Sequence, residues 1–453
     1  MSLTRKFNTA WLVLVTVFMT LLLVVASVIF WKLMDEVPID TSRDKSTILA
    51  KDIIKLSDKL ANQLIANFLP ENLPEKQKHN VLQTINNTLQ HLQNRKSNQV
   101  LSLLQGLDLS GAIRHLRILV RKEKQSREAA KTWVDIGNLQ QLLSTEQALL
   151  SYQKASKLDR YNSDVWNRLG HYYRTQKQFT LAENAYKVVL ALPINSNKAV
   201  AFANLGLLSQ IQGKFTEAEA FYIKALNINI LLKDLARIAT NNENLAILSR
   251  KNNNFKSAET YYLAAVGYYE KLDNNSSVAN VQLALAGLYS QYKYLGKAKL
   301  HYQLALGIYE KKHNQGKIAS IYSALGVLHQ QQKRLKEAQV FFEKSLVLHQ
   351  KIKRKKGIAA QYGNLGVVYR LQKKFIKSES SHLKSLHLYQ QLQYADGLFQ
   401  QQINLGFLYK SISKLGKACE HWLKGKRILV DTKRSTRILR IEHIIEQYCV
   451  AKV

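Results

Sequence analysis

Cysteine occurs only twice in the 453 residues, as Cys419 and Cys449. Two thiols exclude a disulfide framework and a four-ligand zinc ribbon. They lie on what the pattern makes the last repeated helix and the helix after it, close enough to meet. Free, partly buried thiols are nevertheless the expected state. Proline is also scarce, with four residues, and glycine numbers nineteen. So few helix breakers, among many Leu, Ala, Lys and Gln, suit an almost wholly helical chain. Recognisable chemistry is missing as well. There is no Gly-rich phosphate loop, no His-Glu-x-x-His, no Cys-x-x-Cys and no Gly-x-Ser-x-Gly. The twelve histidines are scattered, and His382 with His387 lacks metal-ligand spacing. No residues are left over for a catalytic domain, so the expectation is a non-enzymatic protein without cofactor or metal.

Acids are few: 32 Asp and Glu stand against 66 Lys and Arg, a formal charge of +34. Such an excess suits an anionic partner, whether nucleic acid, phospholipid headgroups or acidic peptides. It also suits charge spread over solvated faces, and the scatter of the basic residues favours that explanation. The one dense cluster, Lys351 to Lys356, has five basic residues in six and falls between two repeated units.

Long apolar runs are absent except for Trp11 to Trp31, whose most polar members are Thr16, Thr20 and Ser27. At about 1.5 Å per residue such a run crosses a hydrocarbon core of about 30 Å. A tryptophan at each end suits the headgroup level. A cleaved signal peptide would have a shorter apolar core and a better small-x-small site than Ala26-Ser27-Val28. The expectation is an uncleaved anchor over residues 11–33. Arg5 and Lys6 precede it, and a modest basic bias puts the N-terminus inside. That would place the rest of the chain on the far side of the membrane, the periplasm in a bacterium.

What the chain does hold is repetition. Trp166-Asn-Arg-Leu169-Gly170-His-Tyr-Tyr173, then Phe179, Ala182 and Tyr186, then Pro193, is the pattern of two short helices packed face to face. Gly170 and Ala182 permit close approach, and Trp166, Leu169, Tyr173, Phe179 and Tyr186 fill the seam. Taking the central small residue as a ruler gives Ala148, Ala182, Ala218, Ala258, Ala298, Ala338, Ser378 and Ala418. The spacings are 34 and 36 residues, then 40 in each of five steps. Four residues after each marker stands Tyr152, Tyr186, Tyr222, Tyr262, Tyr302, Phe342, His382 or Trp422. One hairpin cannot bury its apolar faces alone, whereas a stack of copies can.

This register resembles the tetratricopeptide repeat family, whose unit is 34 residues. The 40-residue units with Asn204-Leu205-Gly206, Asn364-Leu365-Gly366 and Asn404-Leu405-Gly406 resemble the longer repeats of Pins-type spindle adaptors and, distantly, of kinesin light chains. The resemblance implies an all-α, right-handed solenoid of helical hairpins, preceded here by one transmembrane helix. The expected divisions are a tail over 1–10, the anchor over 11–33 and a helical spacer or cap over 34–128, with a degenerate repeat near 100–125. About eight repeats over 129–430 and a capping helix over 431–453 follow. The extra six residues of the longer units fall between hairpins, where they lengthen the helices by about a turn and a half.

In this family the first helix of each hairpin lines the concave side, and the residue before Leu-Gly points into it. In the adaptors an Asn there bonds an extended peptide, since its amide both donates and accepts. Those positions hold Arg168, Asn204, Asn244, Asn364 and Asn404, with Ala284 and Ala324 interrupting the ladder. Further along the same stripe stand Arg174, Arg250, Arg370 and Lys410, suited to carboxylates. The alternative for both sets is an ordinary solvated helix face. The function implied is a membrane-anchored scaffold that takes a protein or peptide partner, acidic in character, in its groove. Nucleic acid is not the expected partner. Two rivals remain open: an anion binder holding nucleic acid or anionic lipid on its +34 surface, and a regulator whose superhelix flexes with a ligand.

Overall fold

The computed structural model describes residues 58–70, 73, 75–95, 97–123, 126–193, 196–431 and 435–450. The expected anchor over 11–33 lies outside the described residues. Among the described residues no helix is long and apolar enough to cross a membrane, and no strand occurs. The described residues divide into two compact units, with the boundary between residues 176 and 177.

In the first unit the helices are α1 (58–68), α2 (Glu75–Asn94), α3 (Asn98–Gln105), α4 (Leu109–Lys122), α5 (Ser126–Gln140), α6 (Thr145–Leu158) and α7 (Ser163–Thr175). The apolar stripes of the spacer close on one core: Leu60 and Leu64 of α1, Ile85 and Leu89 of α2, and Leu104 of α3. Ala112 and Leu116 of α4 join them, with Ile136 of α5. Asp108 caps α4 by accepting from the Gly111 N–H at 2.7 Å. Polar pins add direction to this apolar packing. Asn138 donates to the buried Thr88 hydroxyl at 2.9 Å, and His91 Nδ1 lies 2.7 Å from the Asp135 carboxylate. Burial pushes the Asp135 carboxyl up from its usual range. The described residues 58–122 therefore pack as helices against α5, the first helix of the first clear hairpin.

The second unit begins with α8 (Phe179–Ala191) and α9 (Ser196–Ile211). From α10 onward every helix through α20 spans 17 residues and every connection spans three. These are α10 (Phe215–Leu231), α11 (Leu235–Lys251), α12 (Phe255–Lys271), α13 (Asn275–Gln291), α14 (Leu295–Lys311) and α15 (Gln315–Gln331). Then come α16 (Leu335–Lys351), α17 (Lys355–Leu371), α18 (Phe375–Gln391), α19 (Ala395–Ser411) and α20 (Leu415–Asp431). Against the 13 residues of α7 and of α8, each long helix has gained about one turn, at the ends that flank the connection between hairpins.

The 40-residue unit is thus two equal halves. The middle residue of each turn has a positive φ, at Gly213 and then Lys233, Asn253, Asp273, Lys293 and onward every twenty residues to Ser413. This is the left-handed helix stop, in which the next N–H reaches back to a carbonyl, as Asn254 does to Ser249 at 2.8 Å. A side chain in that conformation costs about 1–2 kcal/mol relative to glycine. A chain poor in glycine meets that cost at ten turns of this unit, Lys233 to Ser413.

All eight ruler residues are buried, and so are seven of the eight rings four positions on; Tyr302 is half-buried. Glycine is required by this seam at Gly206, whereas the buried Ala246 and Ala286 fill the same position in the next two hairpins. A Cβ built on Gly206 would stand 2.8 Å from Tyr222 Cδ1 and 3.1 Å from the Ala218 carbonyl oxygen. Where the pattern departs, polarity is compensated. Ser378, in place of the alanine, donates to the Gly366 carbonyl at 2.7 Å.

After α20 come α21 (Ser435–Ile445) and a π-helical turn, Glu446–Val450. Ile438, Ile441, Ile444, Ile445 and Tyr448 close the last apolar face around Leu405, Leu408 and Trp422. Leu439 is 75% exposed, because it follows the buried side by one residue and points outward. The expected free thiols are overturned: Cys419 and Cys449 form a disulfide. The physical reason is the packing of α21 and its π-helical turn on the last hairpin, which sets Cys449 beside α20 with a Cα–Cα separation of 5.7 Å.

Candidate peptide-binding face

The first helices of the hairpins in the second unit are α9, α11, α13, α15, α17 and α19. Their buried side is set by the Leu-Gly register. The preceding residue stands at its margin, and Asn204, Asn244, Asn364 and Asn404 are all half-buried there. Ala284 and Ala324 take the same position on α13 and α15. Six residues later, near each helix end, are Gln210, Arg250, Ser290, Gln330, Arg370 and Lys410, half-buried too. The two stripes share a face because six residues are about 1.7 turns.

The structure brings part of this set together. Asn364 and Asn404 line one cavity of about 440 Å³ across α15, α17 and α19, beside Gln330, Gln400, Tyr394 and Asp396. At its floor Gly363 lets the Gln401 side chain approach α17 closely: a Cβ there would stand 2.7 Å from Gln401 Nε2. Asn364 donates to Gln361 Oε1 at a long 3.3 Å, and Asn404 accepts from Gln400 at 3.2 Å. Both amides keep donor or acceptor capacity toward the cavity. Asn204 and Asn244 lie on α9 and α11, outside it.

The basic residues have more varied settings. Arg168 and Arg174 belong to α7 in the first unit. Arg168 Nε donates to Asp164 Oδ2 at 2.7 Å, and its guanidinium stands 5.9 Å from the Tyr152 ring centre. Arg174 Nη2 lies 2.9 Å from His171 Nδ1. Arg250, in the last turn of α11, has no carboxylate in ion-pairing range among the described residues. Burial draws the Arg370 guanidinium below its usual range, so an anion arriving there would meet a poorly hydrated cation. Lys410 is spoken for: its ammonium stands 3.5 Å from the centre of the Tyr448 ring, under the C-terminal turn.

Sequence reasoning missed Gln330, Gln400, Tyr394 and Asp396. Carrying the register of Arg250 and Arg370 to the interrupted repeat would have found Gln330. Tyr394 and Asp396 lie in the stretch Gln391 to Gly397, which reads as a spacer in sequence and becomes a cavity wall only when α19 folds back. Among the described residues no group of three or more His, Cys, Asp or Glu could hold a metal ion.

Family models for the tetratricopeptide repeat match residues 163–192, 199–230 and 317–391. Those repeats are therefore tetratricopeptide repeats. A search of the curated proteins finds no match. Among solved structures, a signal-transduction ATPase of the STAND class with a tetratricopeptide repeat sensor, from Pyrococcus horikoshii, superposes with a TM-score of 0.54 at 15% identity. The match covers 74% of this chain and 55% of that one, and it shows the fold alone. BtubC (BKLC) from P. vanneervenii is 25% identical over 49% of this chain and 92% of that one, with a TM-score of 0.43. A putative kinesin light chain of nearly identical repeats from Podospora anserina is 16% identical over 44% of this chain and 98% of that one, with a TM-score of 0.39. The last two superpose too loosely to carry an argument.

Proposed function

We propose that this chain of tetratricopeptide repeats is a membrane-anchored, non-enzymatic scaffold that holds an extended segment of a protein partner on its first-helix face. The observation that carries the proposal is the cavity shared by Asn364 and Asn404. Two amides on successive hairpins, each with donor and acceptor capacity, suit the alternating N–H and C=O groups of an extended backbone. Arg370, on the same stripe of the C-terminal hairpins, favours acidic side chains along that segment. The interruption at Ala284 and Ala324 limits the contact to the C-terminal hairpins, so the partner segment is short.

Residues 11–33 supply the anchor in this proposal, with the N-terminus inside and the repeats on the far side. The disulfide between Cys419 and Cys449 supports that side, because such bonds persist in oxidising compartments. The test is affinity capture with the full chain in detergent, beside a variant with Asn204, Asn364 and Asn404 changed to Ala. A partner held by the parent, lost by the variant and indifferent to nuclease is expected. Equal capture by both baits that vanishes with salt would mean that charge alone binds.

A further inference from the structure

The edge of the second unit that carries the turns within hairpins is a cationic ridge. Residues 292–297, 332–337, 372–377 and 412–417 hold ten Lys or Arg and one acid, Glu337. The opposite edge is interrupted: residues 272–277 and 392–397 each hold one acid and no base, and its cations gather at Lys312, Lys317 and Lys353 to Lys356. Lys293, Lys333, Arg334, Lys373 and Lys374 are all exposed, and among the described residues none has a carboxylate in ion-pairing range. With neighbouring helix axes about 8–10 Å apart, the basic turns recur roughly every 20 Å along that edge.

Two further features are found on this edge, the first of them shared with Arg354 on the opposite one. Arg334 and Lys374 stand at the N-caps of α16 and α18, which have no side-chain cap. A cation there opposes the helix dipole, so folding stability does not account for the choice. Apolar side chains also project between the lysines: Ile376 is 87% exposed and Tyr294 51% exposed.

We propose that this edge lies on an anionic lipid bilayer, with the lysines among the headgroups and Ile376 and Tyr294 at the interface. The charge alone would suit any polyanion. The exposed isoleucine and tyrosine decide for lipid, since they gain by leaving water and a phosphate backbone offers them nothing. None of these lysines lines the cavity shared by Asn364 and Asn404.

The full chain carrying a fluorophore at Ile376→Cys is mixed with vesicles containing a lipid-borne quencher; the native cysteines, being bonded, do not label. Quenching is expected with vesicles of mixed phosphatidylglycerol and phosphatidylcholine, and its loss with phosphatidylcholine alone or in high salt. A probe at Asn275→Cys on the opposite edge should stay unquenched. Changing Lys333, Arg334, Lys373 and Lys374 to Glu should abolish the response while the helical circular dichroism is retained. Equal quenching of both probes, or quenching unaffected by lipid charge, would overturn the proposal. So would a probe at 376 that responds to an oligonucleotide and not to anionic vesicles. Flotation with neutral vesicles reports residues 11–33 and not the edge, so the anchor and the docking edge fail separately.

Discussion

His382 Nδ1 lies 2.9 Å from Gln401 Oε1, joining the second helix of one hairpin to the first helix of the next. The imidazole occupies the buried ring position that Tyr, Phe or Trp fills elsewhere, and burial draws its pKa down to about 4. The unfolded chain takes up this proton near pH 6.5, whereas the folded chain resists it until about 4. Stability from this group is complete above pH 6.5 and falls as the pH drops toward 4, by about 3 kcal/mol at most. His382→Phe should flatten that part of the pH dependence. Thermal melts at pH 5 and pH 7 would show it, and an unchanged difference between them would remove His382 as the cause.

Gly206 faces Tyr222 so closely that even a methyl group displaces the ring. Gly206→Ala should cost about 1–3 kcal/mol by overpacking the seam. Gly267, with nothing within 4 Å of a built Cβ, is the control position, where alanine should stabilise slightly. Denaturant titration of both variants tests this, and equal midpoints would refute the register of the seam.

Reducing the Cys419–Cys449 bond opens a loop of 30 residues. The last hairpin and its cap should lose about 3–4 kcal/mol, most of it through freedom gained by the unfolded segment. Because repeats couple mainly to their neighbours, hydrogen exchange should quicken in α20 and α21 and not in α10. Uniform quickening along the chain would mean that the array unfolds as one cooperative body.

The repeat was legible in sequence because its determinants are local and steric. A small residue, a ring four positions later and a Leu-Gly or Leu-Ala pair recur wherever two helices must approach. The equal division of the unit was less visible, since ten different turns reach one backbone shape through Lys, Asn, Asp, His, Gln or Ser, with no shared residue to mark it. The disulfide was missed for a related reason. Spacing suggested that the two cysteines could meet, but the packing of α21 and its π-helical turn, Glu446–Val450, on the last hairpin is what sets Cys449 beside α20. At the candidate site, Asn364 and Asn404 were found by register. Lys410 was found too, yet its cover by Tyr448 depends on a tertiary contact that no helical period encodes.

The twenty-residue recurrence of the left-handed turn residue also bears on how such a chain changes length over evolution. Since the stop between hairpins has the same backbone form as the stop within one, a duplicated or deleted stretch of forty residues can begin in any turn and still rejoin without a mismatch. The array can gain or lose a unit by recombination at many points, and each junction inherits a connection that already folds.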